Sequence, residues 1–371
     1  MSIINLCAHV TIEAKESVTT NPENLNKLPL PPAGKTGWPW TEESSPLSPL
    51  MPNGKQWPKI SIVTPSYNQG QFFEETIRSV LLQNYPNLEY IIIDGGSTDN
   101  SIEIIRKYEP WIHYWVSEKD NGMAEALNKA FARSTGDLIG WQNSDDFYGQ
   151  GSFEACAQVV TAYPLYDIYH GRTYFVDTNG ITIRELLSGE FDLLERAENF
   201  PLIGPPNQSM FIRRTVFANQ FFVDESYKCG MDTELVARLL LSGCTTKYIS
   251  EIVGFYRSHP AAKTLLEGST STAEACRLCA ETLSKEGLSN DLRKQIVKGF
   301  RKMLVALFRT CDTSKFRSYL LNYWRFKEVE KIDMDMAGRY CVSLMGDKVL
   351  RTIINLADRK WHTVKVSKSR R

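Results

Sequence analysis

Two carboxylates stand side by side in Gln142-Asn-Ser-Asp-Asp146, directly after a short apolar run. Adjacent carboxylates repel, and a divalent cation offsets that: hard oxygen ligands hold Mg2+ or Mn2+ with positions left open for a substrate's phosphates. The competing reading is an Asx-type turn that caps the helix beginning at Ser152. Three further segments follow apolar, β-rich runs in the same way: Pro65-Ser-Tyr-Asn68, Asp94-Gly-Gly-Ser-Thr98 and Ser117-Glu-Lys-Asp-Asn-Gly122. In an open α/β sheet, ligands bind outside the carboxyl ends of the strands, so these four segments are where chemistry belongs. The sequence contains neither GxxxxGK[ST] nor GxGxxG, which excludes a Walker phosphate loop and the dinucleotide fingerprint.

The elements that must position them follow from apolar periodicity. Ile60–Thr64, Leu88–Ile93, Ile112–Val116 and Asp137–Trp141 read as strands; Gln71–Asn84, a helix through Lys107 capped near Ser97–Asp99, and Met123–Arg133 alternate with them as helices. Strands alternating with helices of 10–15 residues predict βαβ units around a parallel sheet. From Ser152 the pattern becomes mixed: a helix to Tyr163, strands flanking the hairpin signal Asp177-Thr-Asn-Gly180, strands at Gln208–Ile212 and Lys247–Tyr256, and a helix Asp232–Leu241 between those two.

The chain has 371 residues, 42% apolar and 23% charged, which predicts two or three globular units and excludes a fully disordered or collagen-like protein. Residues 1–57 read as a Pro-rich leader, with eight prolines in the 37 residues 21–57; such a segment is mostly extended and buries little, although Trp38, Trp40 and Trp57 point to contact with the next domain. Residues 58–259 form the α/β domain (halves 58–150 and 151–259), and 260–371 a helical region. That last region from 261 carries 23 Lys+Arg against 12 Asp+Glu, although the whole chain has zero net charge. No apolar run is long enough for a membrane span and no secretory leader is visible, and the eight scattered cysteines suit reduced thiols, so the expected location is cytoplasmic.

Taken in order, Ile62-Val-Thr-Pro-Ser-Tyr-Asn68, Ile93-Asp-Gly-Gly-Ser-Thr-Asp99, Ser117–Gly122 with Ala126-Leu-Asn-Lys129, and Gly140-Trp-Gln-Asn-Ser-Asp-Asp146 closely resemble family 2 glycosyltransferases of the GT-A fold. The resemblance covers about residues 58–258. It implies a Rossmann-like mixed sheet flanked by helices, and an inverting, metal-dependent transfer from a nucleoside-diphosphate sugar, a UDP-sugar by preference. The transferred group would be a hexosyl or N-acetylhexosaminyl unit. The acceptor would be a hydroxyl of a glycan or lipid-linked molecule in surface polysaccharide synthesis.

On individual residues, the resemblance implies that Pro65 and Tyr67 hold the nucleotide base, that Asp94 accepts a bond from it, and that Asn121, Asn128 and Lys129 line the donor pocket. Asp145 matches the last acid of the family's Asp-x-Asp motif, the ligand of Mg2+ or Mn2+ on the diphosphate; Asn143 stands at its first position, a departure, and Asp146 either assists or caps the next segment. His259 is placed as a late ligand to the metal or diphosphate, and Arg257, or Lys263 if the loop folds back, as a neutraliser of the leaving group. Asp232 in Gly230-Met-Asp-Thr-Glu-Leu235 is the implied catalytic base, with Glu234 the rival.

Alternatives are a nucleotide-sugar-binding protein without turnover, for which Asn143 is the hint, and a nucleotidyltransferase, which would want a glycine-rich basic loop after the first strand. The basic Gln295–Phe308 segment interleaves Lys298, Arg301 and Lys302 with an apolar stripe; it predicts either a helix on an anionic inner leaflet or one packed on the protein. It lacks the signatures of a nucleic-acid module, so no nucleic-acid partner is expected.

Overall fold

The computed structural model describes residues 25–187, 189–190, 193–218, 222–326 and 333–355. The first 24 residues of the expected leader and the chain beyond 355 lie outside them. The strands are β1 (Ile60–Ser66), β2 (Leu88–Asp94), β3 (Tyr114–Ser117), β4 (Leu138–Trp141), β5 (Phe147–Tyr148), β6 (Ile168–Val176), β7 (Thr182–Leu187), β8 (Met210–Arg213) and β9 (Thr246–Arg257). The helices are α1 (Gly70–Leu81), α2 (Ser101–Tyr108), α3 (Met123–Arg133), α4 (Ser152–Ala162), α5 (Leu193–Arg196), α6 (Arg214–Ala218) and α7 (Met231–Leu241). They continue as α8 (Lys263–Leu266), α9 (Gly268–Leu283), α10 (Asn290–Arg309), α11 (Thr313–Phe326) and α12 (Met334–Ser343).

The strands form one mixed sheet in the order β3-β2-β1-β4-β8-β6-β9-β5, with β7 on β6. Its first four strands run parallel. Ser66 lies opposite Asp94, Val63 opposite Trp141, and Asp94 opposite Ser117. This register brings the ends of β1, β2, β3 and β4 out along one edge. β1 and β2 are buried along their whole length, which is why they read as continuous apolar runs rather than alternating ones. Beyond β4 the pairing turns antiparallel at β8, which lies in the part of the chain whose pattern reads as mixed.

The chain divides into two compact units whose boundaries cut across residues 58–259. One takes residues up to Gly189, Pro205–Phe222 and Thr245–Ser258; the other takes Glu190–Gly204, Val223–Cys244 and the chain from His259. Asp232 therefore groups with the C-terminal helices, whereas Asp145 groups with the sheet.

In the first unit, residues 25–57 do not behave as a segment that buries little. Leu28, Trp40, Met51 and Trp57 are buried, and Leu28, Met51 and Trp57 join the core of the sheet domain. The physical reason is the fully buried Arg78 of α1. Its guanidinium donates to the carbonyls of Pro29, Pro39 and Trp40 at 2.9, 2.9 and 2.7 Å, and to the Tyr108 hydroxyl at 3.0 Å. An extended, proline-rich chain leaves its carbonyls unpaired, and a buried arginine needs several of them.

At the opposite end of the sheet from the four loops, Glu89 at the start of β2 accepts from Lys59 Nζ (2.8 Å), Ser61 Oγ (2.5 Å), and the amide and hydroxyl of Thr135 (2.7 and 2.6 Å). Burial alone would raise its pKa, but these four bonds outweigh it and hold the carboxyl at about 2, against an ordinary 4.5. A depressed folded pKa stabilises above the unfolded value and is lost as pH falls through the folded one. About 3 kcal/mol of stability should therefore disappear between pH 4.5 and 2. Chemical denaturation against pH checks this: Glu89→Gln should flatten the dependence in that window, and an unchanged slope would refute the assignment.

In the second unit, Ile296, Phe300, Leu304 and Leu307 of α10 are buried, and α10 packs on α9, α11 and the turn Ala197–Asn199. The apolar stripe is thus used internally. Of the two readings of this basic helix, insertion of the stripe into a leaflet is excluded while the stripe stays packed. Among the described residues, no helix is long and apolar enough to cross a membrane.

Candidate active site

The loop after β1 and the loop after β2 are stitched together. The Gly95 amide donates to the Ser66 carbonyl (2.8 Å), Asn68 N to Ser97 Oγ (2.8 Å), Thr98 N to Asn68 Oδ1 (2.8 Å) and Gly70 N to Asp99 Oδ2 (2.8 Å). Asn68 adopts a left-handed φ of 52°, which asparagine tolerates better than most residues. Pro65 is buried inside β1, whereas Tyr67 stands 61% exposed on the stitched platform. An aromatic ring held on such a rigid base can stack on a planar ligand.

Asp94 differs from the expectation that it meets a base. It is fully buried, and its carboxylate accepts from Ser97 Oγ (2.5 Å), Ser97 N (2.8 Å), Gly96 N (3.1 Å) and Ser117 Oγ (2.7 Å). These bonds use its lone pairs to brace the turn and tie it to the end of β3. In this arrangement Asp94 shapes the platform without facing a ligand.

On the third loop, Asn121 donates from its amide side chain (2.7 Å) and its backbone (2.9 Å) to Glu125, closing the start of α3. Lys129 Nζ lies 2.7 Å from Glu118 and 2.8 Å from Glu125. Its charge is already shared between two carboxylates, bonds that raise its pKa. Asn128 is half-buried on the same helix.

The fourth loop separates the two adjacent acids. Asp146 is buried and accepts from the Arg257 amide (2.8 Å), Gln208 Nε2 (2.7 Å) and Asn143 Nδ2 (3.1 Å). Burial first, and then the neighbouring Asp145, push its carboxyl well above the ordinary range. Gln208 reaches it because residue 254 of β9 is glycine; a Cβ there would run into the Gln208 carbonyl. Asp146 thus acts as a strut, its two oxygens carrying three internal bonds. Asn143 belongs to the same knot: its Oδ1 accepts from the Trp141 indole (2.8 Å) while its amide donates to Asp146. Aspartate at 143 could not donate, so the departure from Asp-x-Asp has a local cause. Asp145 stays half-exposed at the loop's surface.

Arg257 does not serve as a cation for a leaving group. Its side chain is 1% exposed and lies 3.0 Å from Glu75, donates to the Asp145 carbonyl (2.9 Å) and the Thr178 carbonyl (2.9 Å), and sits over the rings of Phe72 and Phe147. Every one of those partners is internal. It holds the backbone of Asp145 from behind.

Among the described residues, no group of three or more His, Cys, Asp or Glu gathers into a metal cage. His259, expected as a ligand, is buried. A divalent ion bound through one carboxylate and a substrate's phosphates needs no such cage, so Asp145 alone fits that arrangement.

In the second unit, Asp232 lies in the first turn of α7, half-buried. Its Oδ1 accepts from Thr233 N (2.7 Å) and, at 3.4 Å, from Thr233 Oγ1. Burial raises its carboxyl above the ordinary aspartate range, the Thr233 bonds oppose that rise, and the charge of Glu274 adds to it. The rival Glu234 is buried and clasped by Arg238 through two bonds of 2.7 and 2.9 Å, which removes it as a base. Sequence reasoning passed over Glu274 and the Asn68–Ser97 stitch; only the preference of Asn for positive φ hinted at the second.

Comparison with known proteins bears on these elements. Residues 61–221 match the family model "Glycosyl transferase family 2". An uncharacterized glycosyltransferase of Nostoc sp. is 24% identical over 290 residues, 76% of this chain and 88% of the relative. The putative teichuronic acid biosynthesis glycosyltransferase TuaG of Bacillus subtilis is 37% identical over 120 residues, covering 29% of this chain and 48% of the relative. Among solved structures, S. aureus TarS 1-349 in complex with UDP-GlcNAc shares the fold at a TM-score of 0.60 and 15% identity, over 81% of this chain and 92% of that one. Mannosyltransferase PcManGT from Pyrobaculum calidifontis, in complex with GDP-Man and Mn2+, gives 0.51 at 16% identity, over 81% of this chain and 88% of that one. The matched segment contains all four strand-end loops, so residues 61–221 of this chain form a glycosyltransferase family 2 domain.

Proposed function

We propose that this glycosyltransferase moves a sugar from a UDP-sugar to a hydroxyl of a glycan or lipid-linked acceptor in surface polysaccharide synthesis, with inversion at the anomeric carbon. One observation carries the donor half of this reading. The four strand-end loops leave the sheet at one edge, with Tyr67 exposed and Asp145 half-exposed while their neighbours are tied down. UDP-GlcNAc bound to TarS supports the choice of nucleotide, and the name of TuaG supports the process.

In this reading Tyr67 stacks on the base, with Pro65 and Asp94 fixing the platform beneath it. Asn121, Asn128 and Lys129 border the sugar, and Asn143 locks the loop from which Asp145 faces the diphosphate. A divalent ion held by Asp145 would supply charge neutralisation for the departing diphosphate. Asp232 takes the proton of the acceptor hydroxyl at its carboxylate, which burial makes a stronger base than an exposed aspartate. The Asn143 departure lends no weight to a non-catalytic binding protein, since its amide is explained by Asp146. A membrane contact, where lipid-linked acceptors sit, would use charge alone, through exposed residues such as Lys294 and Lys298.

A thermal-shift panel of nucleoside-diphosphate sugars with and without Mn2+ tests the reading. One UDP-sugar at about 100-fold its Kd should add roughly 2.7 kcal/mol to stability, and Tyr67→Ala should abolish most of that shift. No selective shift from any donor would overturn it.

A further inference from the structure

Glu274 lies in α9, outside the segment matched to the family. It is 9% exposed, yet it makes no ion pair among the described contacts. Instead its carboxylate collects three consecutive backbone amides: Lys228 N at 2.7 Å on Oε1, and Cys229 N at 2.9 Å and Gly230 N at 2.8 Å on Oε2. Those residues are the approach to α7, and Asp232 follows two positions later. These amides belong to the turn that leads into α7 and to its N-cap Gly230, and buried amides need an acceptor. Here a second helix delivers that carboxylate.

We propose that Glu274 is the positioning residue for Asp232: by gathering the amides of residues 228–230 it fixes the entry of α7, and with it the direction of the Asp232 carboxylate. This rests on Asp232 being the base. Among the described residues, the Asp232 carboxylate is otherwise anchored to its neighbour Thr233, so the backbone aims it. Glu274 also places a fixed negative charge near that carboxylate. Other charged groups around the approach are Glu267, whose Oε2 lies 3.2 Å from Cys229 Sγ, and Lys263 of α8, which acts on the same thiol. Glu274 is the charged group whose field adds to the rise at Asp232.

The test is a double-mutant cycle on the full chain, read as kcat, donor KM and the acid limb of the pH profile. Glu274→Gln keeps the shape but replaces one acceptor oxygen with a donor and removes the charge. The expected result is a kcat lower by 10- to 100-fold, an unchanged donor KM, and an acid limb moved to lower pH. In the Asp232→Asn background the same change should have no further effect on kcat. Glu274→Asp keeps the charge and covers the case in which Glu274→Gln fails to fold; it should leave the limb in place while lowering kcat several-fold. Equal losses in both backgrounds, or an unmoved limb and kcat in Glu274→Gln, overturn the positioning role alone. Near-native turnover of Asp232→Asn overturns the base, and the positioning role with it.

Discussion

Asp232→Asn should lower turnover by about 100- to 10,000-fold while leaving the affinity for the donor unchanged. The carboxylate and the carboxamide fill the same space, and Oδ1 can still accept from Thr233, so the start of α7 should hold. What is lost is the ability to take a proton. The wild-type pH profile carries the sign of the effect. The base works only when ionised, and burial raises its pKa above the ordinary 3.8, so kcat/KM should climb with pH along a limb displaced upward from that value. Steady-state kinetics with isothermal titration of the donor separate the two quantities. Turnover within a few-fold of wild type would remove Asp232 from the mechanism, and Glu234 could not replace it while Arg238 holds both its oxygens.

The second large effect concerns stability. Arg257→Met should cost about 3–5 kcal/mol, because it strands the Glu75 carboxylate, 12% exposed, without its cation and leaves the carbonyls of Asp145 and Thr178 unpaired. For a unit of this size the corresponding fall in Tm is on the order of 10 °C. Glu75→Gln, which leaves the arginine its carbonyl partners, should cost less. Scanning calorimetry decides it: a Tm within 2–3 °C of wild type would mean that Arg257 is not the keystone the contacts describe. The donor-induced thermal shift should also weaken, since Arg257 supports the backbone of Asp145.

The sheet half was legible because its signals are local. The apolar runs of β1 and β2 and the Gly, Ser and Asp residues after them need only nearest neighbours to be read. Element ends moved by one to three residues, as for α1, expected from Gln71 to Asn84 and observed over Gly70–Leu81. Hairpin 177–180 also formed as read: Asp177 N donates to the Ile181 carbonyl at 2.9 Å, and Gly180 takes a φ of 81°. The tryptophans of the leader pointed to its contact with the sheet domain, but the extent of its burial was not legible, for the opposite reason. Its burial depends on Arg78, some forty residues along, offering donors to its carbonyls, and no composition rule contains that fact.

The amino-acid order alone determined the alternation of strands and helices, the four loops at their ends and the presence of acids there. It did not determine which acid faces outward. Asp145 and Asp146 are chemically identical neighbours, and the choice between them was made by an amide 111 residues away and a glutamine 62 residues away, both of which claim Asp146. The same holds for Asp232 and Glu234, where Arg238 decides, and for Glu274, whose three amide partners lie more than forty residues from it. A carboxylate's role depends on which donors and how much water surround it, and only the folded chain brings those donors within 3 Å.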